Sequence, residues 1–260
     1  MKRIVLILLL TLTASPAPAD VLATGTGFAD IEGGEPFTHR LVCREDRARW
    51  DFSGKQYLEA TVYYRGDLGV YWVVDPVRKG YFEMPVLEPG ETDMRMGLLA
   101  MVYAVSRKAL SDEKRAELDR GVARMPIPEY FLDFRRKGTV KTGKWKCGRY
   151  EVFFGAEKKG EYLTARAKDL GLDGEDYGFL MNTWRQCVTL YSRFEFLFPD
   201  PPEGKRGSYE GFPVAWAFEK GGRSTFSVRF KSIARHSAND ATYDLPPGVK
   251  KMEVFDLLMK

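Results

Sequence analysis

Residues 47–84, RARWDFSGKQYLEATVYYRGDLGVYWVVDPVRKGYFEM, decide the fold of this chain. Short runs of β-branched and aromatic residues are separated by turn signals, which are Ser53-Gly54, Gly66-Asp67 and Pro76. In the second run the two parities carry Tyr57, Glu59, Thr61 and Tyr63 on one side and Leu58, Ala60, Val62 and Tyr64 on the other. Such alternation, with a turn about every 8–12 residues, is typical of an antiparallel meander. A meander with one apolar face needs a second layer to cover that face.

The same signals predict strands on both sides of this stretch. The first group of strands is expected at 24–34, 37–44, 47–52, 57–65, 69–75 and 79–84. The second group is expected at 138–154 with a turn inside, 157–166, 211–219 and 223–234. Because helical segments interrupt these strands, the predicted class is α+β with a β-rich core.

Three segments have helical character. Asp93 is placed to cap a helix that runs to about Leu110 and carries an apolar stripe of Met94, Leu98, Met101, Val102 and Val105. Ser111 opens a charged helix, SDEKRAELDR, which we expect to face solvent. The third helix, 173–193, has one apolar stripe, formed by Tyr177, Leu180, Met181, Trp184, Cys187, Val188 and Tyr191. We expect this third helix to lie against the concave side of the sheet.

The N-terminal residues predict a secretory signal peptide over 1–19. Lys2 and Arg3 precede the apolar run 4–10, and the small residues of Ala17-Pro18-Ala19 follow it. A transmembrane anchor needs about 20 apolar residues, and this run is shorter. We therefore expect cleavage between Ala19 and Asp20 and a periplasmic location. Because no cysteine stands at the cleavage site, we expect no lipid attachment.

Cleavage leaves 241 residues with a formal charge of +2. A charge this small gives no strong bias towards nucleic acid or anionic membranes. The chain has neither an internal repeat nor a long linker. We expect a single domain over 20–260 with a helical insertion at about 93–125, acting as a monomer.

Three cysteines in an oxidising compartment allow one disulfide and leave one thiol. No C-x-x-C motif is present, which disfavours a zinc site or a thioredoxin-like redox motif. Cys147 falls on a predicted strand and Cys187 on the apolar helix stripe, so a Cys147–Cys187 bond is our prediction. Pairing of Cys43 with either of them remains the alternative.

The sequence lacks a recognisable catalytic constellation. It contains two histidines, His39 and His236, and neither belongs to a G-x-S-x-G or H-E-x-x-H motif. We expect no enzymatic activity and no cofactor. The methionines Met84, Met94, Met96 and Met101 could suggest a Cu(I) site, since thioethers select that metal. We favour packing of Met94 and Met101 between helix and sheet, and predict no metal site.

A basic ridge is the one marked charge asymmetry of the chain. It consists of Arg135, Arg136, Lys141, Lys144 and Lys146, with Lys137 and Arg149 beside them. A solvated strand face is the favoured interpretation, because the net charge is small. Contact with anionic headgroups or an acidic partner is the alternative.

Several short motifs resemble the LolA/LolB-like superfamily, and in particular an uncharacterised bacterial family of exported half-barrel proteins. They lie in most parts of the mature chain, and none is catalytic. The matching segments are Arg47-x-Arg49-x-Asp51, 71–76 (YWVVDP) with Tyr81, 143–152 (GKWKCGRYEV), 211–214 (GFPV) and 243–248 (YDLPPG). The resemblance implies a strongly curved, incomplete antiparallel barrel covered by helices, whose cavity holds acyl chains or other apolar groups.

We therefore expect a non-catalytic binding protein of the cell envelope whose ligand is a lipid, an acyl chain or a lipidated protein. Candidate cavity-wall residues are Trp50, Tyr63, Trp72, Met101, Tyr177, Met181 and Trp184. The alternative is a structural or interaction protein whose barrel is fully packed and whose basic ridge docks an envelope partner.

Overall fold

A computed structural model describes residues 20–30, 34–54, 59–87, 91, 93–122, 125–199, 203, 206–221 and 223–253. The expected signal peptide at 1–19 lies outside these residues, and so do Tyr57 and Leu58 of the alternating run. The described residues form one twelve-stranded sheet and four α-helices. No helix among them has the length and apolarity to cross a membrane.

The strands fall into two groups along the chain, with a short strand near the end. The first six are β1 (Asp20–Ala29), β2 (Glu35–Arg44), β3 (Arg47–Ser53), β4 (Ala60–Arg65), β5 (Val70–Asp75) and β6 (Gly80–Pro85). The others are β7 (Asp133–Thr142), β8 (Trp145–Phe154), β9 (Glu157–Ala165), β10 (Phe212–Lys220), β11 (Arg223–His236) and β12 (Lys250–Met252). The helices are α1 (Met94–Ala109), α2 (Asp112–Val122), α3 (Ala167–Leu170) and α4 (Gly174–Ser192).

The sheet joins two meanders through its first strand. Its order is β12-β6-β5-β4-β3-β2-β1-β11-β10-β9-β8-β7. All pairs are antiparallel except β12 with β6, which is parallel. Because β7 and β12 stand at opposite ends of this order, the curved sheet does not close. The predicted β-rich α+β class, with an incomplete barrel and a helical cover, is confirmed.

Helix α4 covers the concave face, as its stripe predicted. The Asp173 side chain caps the helix by accepting from the backbone N–H of Asp176 at 2.9 Å. Arg235 of β11 donates to Asp176 at 2.5 Å and also to Asp173, which ties the helix start to the sheet. Along the stripe Leu180 is fully buried and packs into the main core, while Trp184 is 7% exposed.

Helix α1 attaches by a different face from the one that its spacing suggested. Met96 and Leu99 are buried against Phe194 and Phe196, which follow α4. The predicted stripe faces solvent and consists of Met94, Leu98, Met101 and Val105, with Val102 half-buried. The expectation that Met94 and Met101 fill gaps between helix and sheet is therefore wrong. The charged α2 is largely exposed, as predicted.

The strand predictions differ from the structure mainly at the ends. β7 begins at Asp133, five residues before its predicted start at 138, and so includes the first basic residues. β4 begins at Ala60, and residues 55–58, on which its predicted start falls, are not described. β12 was not predicted, because its three residues, Lys-Lys-Met, show no alternation of apolar and polar side chains.

Candidate ligand-binding cavity

A cavity of about 1820 Å³ lies between the concave face of the sheet and the helices. The strands of the first meander contribute Trp50, Phe52, Val62, Val73, Phe82 and Met84. The second meander adds Tyr162, Trp216, Phe226 and Val228, and α4 with the residues after it adds Trp184, Cys187, Val188, Leu190, Tyr191 and Phe194. The remaining apolar side comes from Met96, Leu110, Leu118, Met125, Pro126 and Ile127.

Strand register explains why apolar side chains line one wall. Trp50 pairs with Val62, Val62 with Val73, and Val73 with Phe82, so one row crosses β3 to β6 on the cavity side. The alternate row pairs Arg49 with Tyr63, Tyr63 with Trp72, and Trp72 with Glu83, and it points to the other face. The sequence alternation thus separates an apolar wall from a mixed row of side chains on the other face of the sheet.

Aromatic rings form a band across the top of this wall. The Trp184 ring lies 4.9 Å from that of Trp216, 6.1 Å from Phe212 and 6.3 Å from Trp50, measured between centroids. Trp50 also stacks on Phe52 at 4.9 Å. Tilted and edge-on contacts of this kind favour a fixed arrangement of rings. The band therefore gives the cavity an aromatic end.

Glu129 is a carboxyl group inside this aromatic end. It opens a single 3-10 turn, Glu129–Phe131, and lines the cavity while half-buried. The indole Nε1 of Trp184 donates to the Tyr209 hydroxyl at 2.7 Å, and that hydroxyl donates to the Glu129 carboxyl. Burial raises the pKa of Glu129 to about 7, although hydrogen bonds from Tyr209 and Trp184 act in the opposite direction.

Charged residues mark the mouth of the cavity. Glu59, Arg78, Lys114, Glu117 and Arg120 all line it and are all exposed. They come from the strand side and from α2, so the opening lies between those two elements. An apolar interior with a charged entrance suits a ligand that enters from water and buries an apolar part.

The predicted Cys147–Cys187 disulfide is wrong, because all three cysteines are free thiols in the structure. Cys147 lies on the side of β8 opposite to Tyr150, and its thiol interacts with Thr142 and Asp169. Cys187 instead lies beside Cys43 of β2 on the cavity side of α4. Burial raises the pKa of both Cys43 and Cys187 to about 12.

The seven predicted wall residues fall into different places. Trp50 and Trp184 are brought together in the cavity wall. Tyr63 and Trp72 lie on the outer row, and Met101 is 58% exposed on α1. The Tyr177 hydroxyl donates to the Ala165 carbonyl at 3.3 Å, and Met181 is half-buried against the core; neither lines the cavity.

Sequence reasoning missed Glu129. Its signal was present in the segment MPIPEYFL, 125–132, where a single carboxyl stands among apolar residues and prolines. Such a residue is rarely buried unless it has a partner, so an isolated acid in an apolar run indicates a special environment. The residues that surround Glu129 come from α4 and from the loop before β10. They are far from Glu129 in the sequence, so sequence patterns do not show that they meet.

The basic ridge lies at the β7 edge of the sheet and is exposed. Arg135 pairs with Asp133 at 2.7 Å, Lys141 stands opposite Lys146 across the ladder, and Lys144 lies over the ring of Trp145. Arg136, also on β7, is exposed. Charged side chains on an edge strand hinder pairing with another sheet, so this arrangement fits the solvated face that the sequence favoured.

No group of three or more histidine, cysteine, aspartate or glutamate side chains in the described ranges is placed to hold a metal ion. His39 lies on β2 among aromatic rings, and His236 ends β11.

No family model and no curated protein matches the chain. An uncharacterized conserved protein from Thermus thermophilus aligns over 96% of this chain and 99% of its own, with 11% identity and a TM-score of 0.47. The structure of MucB aligns over 92% of this chain, and a chain of the Pseudomonas aeruginosa MucA/MucB complex over 87%, both with 10% identity and a TM-score of 0.38. This chain spans 62% and 56% of those two chains. With TM-scores below 0.5, the fold assignment rests on the sheet topology described above.

Proposed function

We propose that this chain is an exported, non-catalytic binding protein of the cell envelope that holds an apolar ligand in the cavity beneath α4. The ligand class is a lipid, an acyl chain or a lipid-modified protein, and Trp50 and Trp184 are the proposed contact residues. The proposal follows the resemblance of the sequence motifs to exported half-barrel proteins.

The size and the lining of the cavity carry this proposal. Its volume of about 1820 Å³ exceeds the roughly 300–1000 Å³ of pockets for drug-sized ligands. Its lining is mostly aromatic and aliphatic, drawn from both meanders and from α4. When an apolar ligand replaces the water against such a surface, the burial stabilises the complex by roughly 25 cal/mol per Å² of apolar surface.

Intrinsic fluorescence tests the proposal, because three tryptophans, Trp50, Trp184 and Trp216, line the cavity. We expect a saturable change in tryptophan emission when oleic acid or phosphatidylglycerol is added to the wild-type protein. A double substitution that narrows the cavity, Val62→Phe with Val188→Phe, is expected to raise the apparent Kd about tenfold. The matched control is Val105→Phe, since Val105 is exposed on α1 and does not line the cavity.

A flat emission across several lipid classes in the folded wild-type protein would contradict the proposal. Equal loss of affinity in the cavity variant and in Val105→Phe would also contradict it, because the binding would then not depend on the cavity. Circular dichroism of each variant establishes that it is folded before the titration.

The docking alternative has one observation in its favour. Lys141 and Lys146 stand directly opposite each other on an exposed edge, and like charges so placed repel. An acidic partner would relieve that repulsion. Replacing both by glutamine should then abolish capture of an envelope partner, while leaving the lipid titration unchanged.

A further inference from the structure

The Glu129 carboxyl in the cavity has hydrogen-bond donors around it and, among the described residues, no countercharge. Its neighbours are the Tyr209 hydroxyl, from the loop before β10, and the Trp184 indole, from α4. Among the described residues, no lysine or arginine pairs with Glu129. Placing a carboxylate in an apolar site without a cationic partner costs free energy. The negative charge of ionised Glu129 is not balanced by these neighbours.

The titratable groups that interact with Glu129 among the described residues are tyrosines. Tyr162 of β9 lies near Glu129, Tyr209 and Tyr191 of α4. Burial raises the pKa of all three tyrosines, so they stay neutral at physiological pH. The lysine and arginines of the mouth, Arg78, Lys114 and Arg120, are exposed to water. None of the described residues supplies a cation to Glu129, and a cationic group of the ligand would fill that place.

We propose that the ligand of this cavity is an amphiphile with one protonated amine at the end of an apolar chain, and that this amine binds the Glu129 carboxylate. This inference rests on the proposed function and names the chemistry of its ligand. A charge-assisted hydrogen bond between ammonium and carboxylate is about twice as strong as a neutral one. The apolar chain lies along the wall formed by Trp50, Val62 and Val73, and leads towards the mouth.

Three ligands with one chain and different head groups test this assignment. Dodecylamine, dodecanol and dodecanoic acid are cationic, neutral and anionic at pH 8. Each ligand is titrated into the wild-type protein with a bound apolar fluorescent probe, at concentrations below micelle formation, and displacement of the probe is measured. We expect dodecylamine to bind about tenfold more tightly than dodecanol, and dodecanoic acid to bind more weakly than dodecanol.

A pair of matched substitutions locates the preference. Glu129→Gln keeps the shape and removes the charge, so dodecylamine should then bind no better than dodecanol. Glu117→Gln removes a carboxyl at the exposed mouth of the same cavity and should leave the preference intact. If the preference survives in Glu129→Gln or disappears in Glu117→Gln, the assignment to Glu129 is overturned.

The wild-type protein supplies a second test that needs no variant. Since burial raises the pKa of Glu129 to about 7, lowering the pH from 8 to 5.5 protonates it and should remove most of the preference for dodecylamine. Binding of dodecanol should change little. A preference that is the same at both values contradicts the inference.

The outcomes separate this inference from the proposed function. If all three ligands bind with equal affinity, the cavity binds apolar chains and the role of Glu129 is wrong. If dodecanoic acid binds most tightly, the cationic head group is wrong. If none of the three displaces the probe, both the inference and the proposed function fail.

Discussion

Buried His39 and half-buried Glu129 have pKa values displaced in opposite directions, and both displacements have the same cause. His39 lies 4.6 Å from Phe230 between ring centroids, and burial lowers its pKa to about 4. Gly25 leaves room for the imidazole, since a Cβ there would stand 2.4 Å from its Nε2. Glu129 loses water in the same way, and its pKa rises to about 7. Desolvation disfavours the charged form of each group.

These two groups predict opposing effects of pH on stability. His39 is protonated near pH 6.5 in the unfolded chain and near pH 4 in the folded protein. Its contribution to the free energy of unfolding is therefore lost as the pH falls between those values. Folded Glu129 holds its proton up to about pH 7, whereas its unfolded pKa is about 4.5, so its contribution is lost as the pH rises. The two effects should largely offset each other in the wild-type protein.

Single substitutions should reveal each effect. In His39→Leu the free energy of unfolding should fall from pH 4.5 to pH 7, and in Glu129→Gln it should rise, by on the order of 1–3 kcal/mol in each case. Urea unfolding at both pH values measures this. Slopes of the same sign in the two variants would contradict the assignment of these groups.

At the residue scale the sequence predicted the inward direction of Trp50 and Trp184 but not the polarity of the site. Alternation and helical spacing predict which side of an element is apolar. They do not predict which residues of distant segments meet, so the contact of Glu129 with Trp184 and Tyr209 was hidden. Tyr63 and Trp72 show the same limit, since an aromatic strand residue can belong to either row.

At the scale of elements, α1 and α4 have similar apolar stripes and different surroundings. The stripe of α4 is buried against β1, β2 and β10, whereas that of α1 is exposed because Phe194 and Phe196 hold its other face. Spacing alone predicts a helix and its stripe, but the element that covers the stripe is decided by tertiary packing. This explains why both helices were predicted and why one orientation was wrong.

A matched pair of leucines tests this difference. Leu180 of α4 is fully buried, and Leu98 of α1 is 43% exposed. Leu180→Ala should lower the free energy of unfolding by about 2–5 kcal/mol, whereas Leu98→Ala should change it by less than about 0.5 kcal/mol. Denaturant unfolding of both variants measures the two values. A large loss in Leu98→Ala would mean that the α1 stripe is packed.

At the scale of the whole molecule, the first residue of β1 is hydrogen-bonded to residues that follow β11. The Asp20 carboxylate accepts from Arg44 at 2.8 Å, from the Tyr243 hydroxyl at 2.5 Å and from the backbone N–H of Ala238 at 2.7 Å. These bonds join β1 and β2 to the segment that follows β11. Asp20 is also the residue that follows the predicted cleavage site.

The processing prediction follows from the sequence alone. We expect the exported protein to begin at Asp20 and to carry no lipid. Intact mass spectrometry of the exported form checks this. A retained N-terminus, or an added diacylglycerol mass, would contradict the predicted cleavage.

If the cavity holds an apolar ligand, native mass spectrometry of the protein purified from its own host should detect the complex. We expect a second species whose extra mass is that of a lipid or another apolar-chain molecule. Its population should fall in the Val62→Phe, Val188→Phe variant and persist in Val105→Phe. A wild-type protein that shows the mass of the chain alone, under conditions that preserve lipid complexes, would contradict the proposed function.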